Sequence, residues 1–518
     1  MATPNEKLAA SLSVLHELQE DGRRVFQSSE LSRVHRDRLL EHGFMQQVMK
    51  GWLISASPEA RPGDSTAWFA SFWEFCALYC NERFGDGWHL SPEQSLLLQA
   101  ENTVVPPQAI IYSRKGHNNT VKLPFGTSLY DLKEQQLPPR SHLVIRNGLR
   151  IFSPTVALVR VPESFFARNP IETQVVLTSI RDASELLRQL LDGGHSAIAG
   201  RLVGALRRVG REQLAEEILS TMKTAGYDVR ETDPFAAVQR VFAIGATTEA
   251  PIVGRIRAIW AASRDAVLKS FPKPPGLPRS KKAYLSSVDE IYQSDAYHSL
   301  SIEGYRVSPA LIERVMSGAW DPTHREADRQ SRDALAARGY WQAFQRVKVS
   351  VSRALAGENA GKIVKADHSA WYRELFEPRV AAGLIAASAL AGYRNDAVYL
   401  RNSRYVPPRW ETVRDAMPAL FDLVEAEPEP SVRAVLGHWL FGYIHPYPDG
   451  NGRMARFLMN VLLASGGYPW TVIRVEARTE YLNALDRASI DLDADPFASF
   501  IAERVRRSVR KAKRTPKR

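Results

Sequence analysis

The run His445-Pro446-Tyr447-Pro448-Asp449-Gly450-Asn451-Gly452-Arg453-Met454-Ala455-Arg456 constrains this chain more than any other stretch. A helix is expected before it, from roughly Ser431 to Tyr443. It cannot pass Pro446 and Pro448, since proline lacks an N–H and turns its predecessor away from helical geometry. His445 therefore belongs at the helix end or on the following loop. Gly450-Asn451-Gly452 then opens a second helix, which stops at Gly466-Gly467. A glycine-rich turn at a helix N-terminus offers backbone N–H groups and the positive end of the helix dipole to an anion. Glycine admits a phosphate close to the backbone, and Asn451 tolerates left-handed geometry while adding an amide donor. Arg453 and Arg456, three residues apart, share a helix face near this opening, and arginine forks match phosphate oxygens. Asp449 suits a hard cation such as Mg2+ that bridges phosphates. His445 is the group there able to accept a proton near neutral pH. The composite predicts a polyphosphate site with its own base and a metal carboxylate. It is neither a P-loop, which needs Gly-Lys-Ser/Thr after a buried strand, nor a zincin, since no His-Glu-x-x-His occurs.

These twelve residues resemble the signature of the Fic family, His-Pro-Phe-x-Asp/Glu-Gly-Asn-Gly-Arg-x-x-Arg, with Tyr447 where phenylalanine is usual. The resemblance runs from about Tyr284 to Arg507. It implies a protein adenylyltransferase that moves AMP from ATP to a hydroxyl of a target protein, and of itself. By position, it makes His445 the base and Asp449 the Mg2+ ligand. Gly450, Asn451, Gly452 and Arg453 become phosphate ligands, and Arg456 the γ-phosphate ligand. Tyr481 falls where the family often contacts the nucleoside. Val398-Tyr399-Leu400 and Arg404-Tyr405-Val406, around the polar Asn402-Ser403, read as a β-hairpin. In the resemblance they are the flap that docks a target by strand addition. Ser299-Leu300-Ser301-Ile302-Glu303-Gly304 resembles the inhibitory Ser/Thr-x-x-x-Glu-Gly/Asn segment of Fic proteins held off by an N-terminal helix. A carboxylate on Arg456 would take away the arginine meant for the γ-phosphate.

The remainder of the chain reads as support for this site and as a separate N-terminal module. Its 518 residues exceed one core, so several domains are expected. From Leu8 to Ser57 the order helix, short helix, helix, hairpin predicts a winged helix-turn-helix. Leu8, Leu12, Leu15 and Leu18 form its first stripe, Ser28 or Ser29 caps a helix ending at Gly43, and Lys50-Gly51 turns the hairpin. Arg33, His35, Arg36, Arg38 and Lys50 would then face double-stranded DNA. Strand-like runs "AIIYSR", "SHLVIRNGLRIFS" and "ALVRVP" are followed by helices, and the order of winged helix, small sheet and helical segment, carried by "GFMQQVMKGWLIS", "SHLVIRNGLRIFSPTVALVRVP" and "AGRLVGALRRVGREQLAEEIL", resembles AbiEi-type antitoxins and regulators. The expected architecture is multidomain and mainly α. It comprises a winged helix-turn-helix over 1–60, an AbiEi-like α+β region over 61–235 and a helical, Pro-rich connector over 236–283. An all-α domain with a β-hairpin flap over 284–507, its helical segments expected to begin near Tyr284, Ser308, Arg325, Trp371, Trp410, Ser431, Arg453 and Glu480, and an acid-free basic tail over 508–518 complete it. Cys76 and Cys80, four apart on an apolar helix face, are expected to be buried thiols of a reducing cytoplasm. The opening residues lack a secretory layout and no apolar run is long enough for a membrane span. The expected partners are ATP, a target protein bearing a Ser, Thr or Tyr hydroxyl, and DNA, with a homodimer left open. The competing readings are a DNA-binding regulator whose C-terminal domain senses nucleotide, an enzyme that removes AMP, and one that uses another donor.

Overall fold

The computed structural model describes residues 3–60, 63–236, 249–318 and 332–514. The chain divides into two compact units: Met1–Arg255 together with Tyr399–Val406, and Ile256–Val398 together with Pro407–Arg518.

In the first unit, helix Pro4–Leu18 starts at Thr3, whose side chain and that of Glu6 cap each other's backbone N–H. Strand β1 (Val25–Gln27) follows, then a single 3-10 turn at Ser28–Glu30 and the helix Arg33–Glu41. Ser32, not Ser28 or Ser29, caps that helix, accepting from the His35 N–H. Strands β2 (Met45–Met49) and β3 (Trp52–Ser55) form the expected hairpin, and the sheet runs β1-β3-β2. Helix Thr66–Phe84 lays Trp68, Phe72, Phe75, Cys76 and Cys80 on Val25, Trp52 and Ile54 of this sheet, and both thiols are buried.

A second sheet has the order β4-β5-β7-β6: Trp88–Leu90, Gln108–Ser113, Ser128–Lys133 and Asn119–Lys122. The hairpin β8 (Leu143–Arg146) and β9 (Leu149–Phe152) turns through left-handed Asn147 and Gly148, the pair that suits a tight hairpin. The first four residues of "ALVRVP" prove helical, within the helix Pro154–Arg160. Ser153 caps it and Pro154 takes the first position, a local signal that outweighs the β-branched valines. Short helices complete the unit, among them Ser196–Arg208 and Glu212–Thr224.

The second unit is helical. Helices start at Lys281, Pro309, Trp410, Pro430, Asn451 and Arg478, close to the expected starts at Tyr284, Ser308, Trp410, Ser431, Arg453 and Glu480. The helix expected from Trp371 begins earlier, at Ala360, where Asn359 accepts from the Lys362 N–H. The start expected near Arg325 lies outside the described residues. The basic C-terminal run is helical as far as Arg514, because Phe497, Phe500, Ile501 and Val505 bury one face of it. No helix among the described residues is long and apolar enough to cross a membrane.

The loop after helix Pro430–Ile444 rests on aromatic rings. Tyr447 is fully buried and stacks on Tyr372, centroids 3.8 Å apart and planes 7° apart, with Tyr393 at 5.5 Å. Tyr393 hydrogen-bonds His368 Nε2 at 2.9 Å, but the Tyr447 hydroxyl has no partner among the described residues. A buried hydroxyl without a partner costs about 1–3 kcal/mol. Tyr447→Phe, which restores the ring usual in the resembled signature, should therefore raise stability by about 1 kcal/mol and Tm by about 2–4 °C in a thermal melt.

Candidate active site

His445 caps the helix Pro430–Ile444 in the left-handed region, φ 51° and ψ 59°, which turns its side chain out of the helical row. Two groups hold this unusual backbone. The His445 N–H still donates to Phe441 O at 3.0 Å. Buried Arg394 donates from Nε to His445 O at 2.8 Å and from its backbone N–H to Pro446 O at 2.9 Å. The imidazole Nδ1 lies 3.1 Å from Gly442 O, so Nδ1 carries the hydrogen and Nε2 keeps its lone pair. Burial pushes the His445 pKa down to about 4 against the raising effect of the Gly442 carbonyl, and Arg394 adds to the fall. The ring is thus neutral at pH 7 and able to take a proton.

The turn closes on itself. Asn451 is buried; its Oδ1 accepts from the Tyr447 N–H at 2.9 Å and its Nδ2 donates to Tyr447 O at 2.7 Å. The expectation that this amide adds a free donor, at a left-handed position, therefore changes. Asn451 is the first helical residue and locks the loop, while His445 and Gly450 (φ 81°) take the left-handed conformations. At Gly450 a Cβ would stand 2.8 Å from the Phe376 ring, so only glycine fits.

Helix Asn451–Ala464 brings Arg453 and Arg456 into the site. Arg453 is 1% exposed and packs on Tyr305 and Phe376, its guanidinium carbon 5.2 Å from each ring centroid. Asp449 accepts from the Gly450 N–H at 2.6 Å, lies 3.5 Å from Arg453 Nη2, and pairs with Arg379 Nη1 at 3.3 Å. Its side chain is half exposed. The described residues contain no cluster of three metal-ligating side chains, so any cation held here would draw most of its ligands from water and phosphate. One open carboxylate beside an anion cradle fits Mg2+, which keeps several waters and is held by one or two carboxylates plus phosphates.

Arg456 is tied down. Its Nε donates to Ser299 Oγ at 2.9 Å, and its Nη2 donates to Ser299 O at 3.0 Å and to Glu303 Oε1 at 2.7 Å. Against the lowering effect of burial, Glu303 holds the guanidinium above its ordinary range. Glu303 caps helix Lys281–Ile302, and left-handed Gly304 (φ 88°) turns the chain away. The same carboxylate lies on the glycine turn: a Cβ at Gly452 would stand 2.3 Å from Glu303 Oε1. The Glu303 oxygen thus rests in the anion cradle against the arginine expected to bind phosphate. Two turns before Glu303, buried Asp295 accepts from the Tyr340 hydroxyl at 2.6 Å, and burial raises its carboxyl pKa.

Tyr481 is 2% exposed, with its hydroxyl 2.7 Å from His438 Nε2. It forms part of the wall behind Arg456 rather than an open face, because His438, Phe497 and Phe500 enclose its ring.

The expected flap hairpin is absent. Residues 398–406 carry no strand, although Asn402 does turn in the left-handed region (φ 57°). Their polar groups pair elsewhere, within the first unit. The Val105 N–H donates to Arg404 O at 2.9 Å, the Ser65 N–H to Asn402 Oδ1 at 3.0 Å, and Thr103 Oγ1 to Val406 O. Arg401 pairs with Asp64 at 3.3 Å, Arg24 lies over the Tyr399 ring, and Tyr405 is buried. Val398 and Leu400 take no part in a ladder.

Of the expected DNA contacts, Arg33 and Lys50 are exposed and Arg36 is half-buried beside Asp37. Arg38 instead donates from Nη1 to Lys7 O and Ser11 Oγ, each at 2.8 Å, so it fastens two helices together. His35 Nδ1 meets the same Ser11 hydroxyl at 3.0 Å.

Arg379, Arg394 and Phe376 escaped the sequence reading. They lie in Ala360–Ala381 and the loop after it, with no motif spacing to mark them. The one local signal is Pro378, whose missing N–H leaves the Glu374 carbonyl one turn earlier without its helical donor.

Residues 364–463 match the Fic/DOC family. A protein adenylyltransferase Fic of Nematostella vectensis is 29% identical over 246 residues, covering 46% of this chain and 52% of that protein. Protein adenylyltransferase fic-1 of Caenorhabditis elegans is 32% identical over 120 residues, 23% of each chain. The chain thus spans about half the length of the former and less of the latter. A solved Fic-1 fragment from C. elegans superposes with a TM-score of 0.37 and 18% identity, covering 70% of this chain and 92% of that one. With the signature residues gathered at one helix junction and the match spanning both of its helices, this chain carries a Fic/DOC-family domain in its C-terminal half.

Proposed function

We propose that the chain is an autoinhibited protein adenylyltransferase, which moves AMP from ATP to a Ser, Thr or Tyr hydroxyl of a target protein and of itself. The observation that carries this reading is the Glu303 carboxylate lodged between Arg456 and Gly452, beside a neutral imidazole. An anion cradle so filled by a built-in anion has the chemistry of a nucleotide site held shut.

In the released state His445 Nε2 accepts the proton of the target hydroxyl. The hydroxyl oxygen bonds to the α-phosphorus, the α–β P–O bond breaks, and pyrophosphate leaves. The N–H groups at the start of helix Asn451–Ala464 and the Arg453 guanidinium counter the phosphate charge. Arg456, once free, holds the γ-phosphate and so keeps the leaving group in line with the attacking oxygen. Asp449 would hold Mg2+, which when bound neutralises charge on the phosphates. With Arg456 on Glu303, the γ-phosphate loses its ligand and meets a carboxylate instead, so ATP binds weakly or out of line.

A second reading concerns the first unit and is compatible with the enzyme. The order of helix Pro4–Leu18, helix Arg33–Glu41 and hairpin β2–β3 supports a winged helix-turn-helix that binds double-stranded DNA. Exposed Arg33 and Lys50 together with Arg36 would make the contacts, and Arg38 would support them. The Arg33→Glu/Arg36→Glu double variant should weaken binding to duplex DNA by about tenfold or more and flatten its salt dependence. Unchanged affinity and slope in a salt-titrated mobility-shift assay would remove this reading.

Purified Glu303→Gly should label itself and lysate proteins from radiolabelled ATP with Mg2+, where the parent chain labels them at least about tenfold less. His445→Ala added to Glu303→Gly should abolish labelling. A Glu303→Gly chain that transfers nothing would refute the donor or the switch.

The pH profile gives an independent check. An imidazole with its pKa pushed down to about 4 stays neutral well below its ordinary midpoint near 6.5. Glu303 raises the His445 pKa, so its removal lowers it further. Labelling by Glu303→Gly should therefore hold level from about pH 8 to about pH 6 and fall only as pH approaches the depressed value. Loss of half the rate near pH 6.5 would contradict this account of the base.

A further inference from the structure

We infer that Arg379, which lies outside the signature, is a ligand for the polyphosphate of the bound nucleotide and exchanges Asp449 for phosphate when ATP and its cation arrive. The inference rests on the adenylyl-transfer reading and adds a binding residue to it.

Arg379 and Arg453 stand in matching relation to one carboxylate. Arg379 Nη1 is 3.3 Å from Asp449 Oδ2, and Arg453 Nη2 is 3.5 Å from Asp449 Oδ1. Both guanidinium carbons flank the Phe376 ring, at 5.8 and 5.2 Å from its centroid. Both Nε groups are buried with no hydrogen-bond partner among the described residues. The Arg379 side chain is only 19% exposed, so its donors cannot simply turn to water. A guanidinium has five N–H donors, and the hydrogen bond shown for Arg379 uses one of them.

Charge makes this arrangement incomplete. Two arginines and one carboxylate leave one positive charge in excess beside a helix N-terminus that itself attracts anions. If a divalent cation takes Asp449, both arginines lose their counter-anion while they remain mostly buried. An uncompensated buried charge is strongly unfavourable. Both needs are met when one ligand brings the cation to Asp449 and phosphate oxygens to Arg379 and Arg453. A nucleoside polyphosphate carrying its metal is such a ligand. Planar N–H forks also match phosphate oxygens two at a time.

The test uses the full-length Glu303→Gly chain, with ATP binding measured by calorimetry in excess Mg2+, the condition in which the cation takes Asp449. Adding Arg379→Gln should weaken ATP binding by about tenfold or more. Adding Arg379→Lys, which keeps charge and stem but loses the fork, should weaken it severalfold. Without nucleotide, Arg379→Gln should bind Mn2+ more tightly, read from the free-ion paramagnetic signal, because the cation competing for Asp449 is gone. A purely structural arginine would not tighten metal binding. Affinities for ATP within about twofold of Glu303→Gly in both variants, with melting curves intact, would overturn the inference. If Arg379→Gln fails to fold, Arg379→Lys decides alone, and unchanged ATP affinity overturns it. If Glu303→Gly itself binds no ATP, the adenylyl-transfer reading falls and takes this inference with it.

Discussion

The contact on which the site depends is the 2.7 Å ion pair between Glu303 and Arg456, made across 153 residues of sequence and lying directly over Gly452. Arg456 is almost wholly buried, so it cannot be left without an anion; removing one partner of a buried pair typically costs about 3–5 kcal/mol. Glu303 is only part-buried, so its departure into water costs less than stranding the arginine. The asymmetry matters for the proposed switch. Release of Glu303 is favourable only when a second anion reaches Arg456, and a γ-phosphate is the anion that the neighbouring cradle would supply. Inhibition and nucleotide binding then compete for one guanidinium.

The rest of the second unit holds these groups in register. Left-handed His445 and Gly450 bracket a loop of four residues whose ends are fixed by Arg394 and by the Asn451 side chain. Tyr447 pins its middle onto Tyr372. Strain of this kind persists only where surrounding contacts determine it, and here it aims an imidazole and a helix N-terminus at the same space. Ser299 adds a further constraint, since its hydroxyl and carbonyl both hold Arg456 and so couple the pose of helix Lys281–Ile302 to the pose of the arginine.

Much of this was legible before any coordinates, and for identifiable reasons. The proline pair and the glycine turn act locally, so the helix break at His445 and the start near Gly450 could be read directly. The Ser299 and Glu303 contacts with Arg456 were reachable only because a family resemblance named both ends; nothing local joins residues so far apart. Asn451 was misjudged because an asparagine after glycine favours left-handed geometry, whereas here its amide is more valuable closing the turn. The 398–406 hairpin failed because alternating Tyr, Val and Leu fit any extended segment, and the backbone partners lie at residues 65 and 103–105. Arg379 and Arg394 carry no spacing signal at all; only the packing of Ala360–Ala381 and the loop after it against the signature brings them to the site.

The most direct measurement is the affinity of ATP, with Mg2+ present, for the parent chain and for Glu303→Gly, by calorimetry on both full-length proteins. If Glu303 and the γ-phosphate compete for Arg456, Glu303→Gly binds ATP about tenfold or more tightly, and adding Arg456→Ala abolishes that gain. Equal affinity in the parent and in Glu303→Gly would contradict the account.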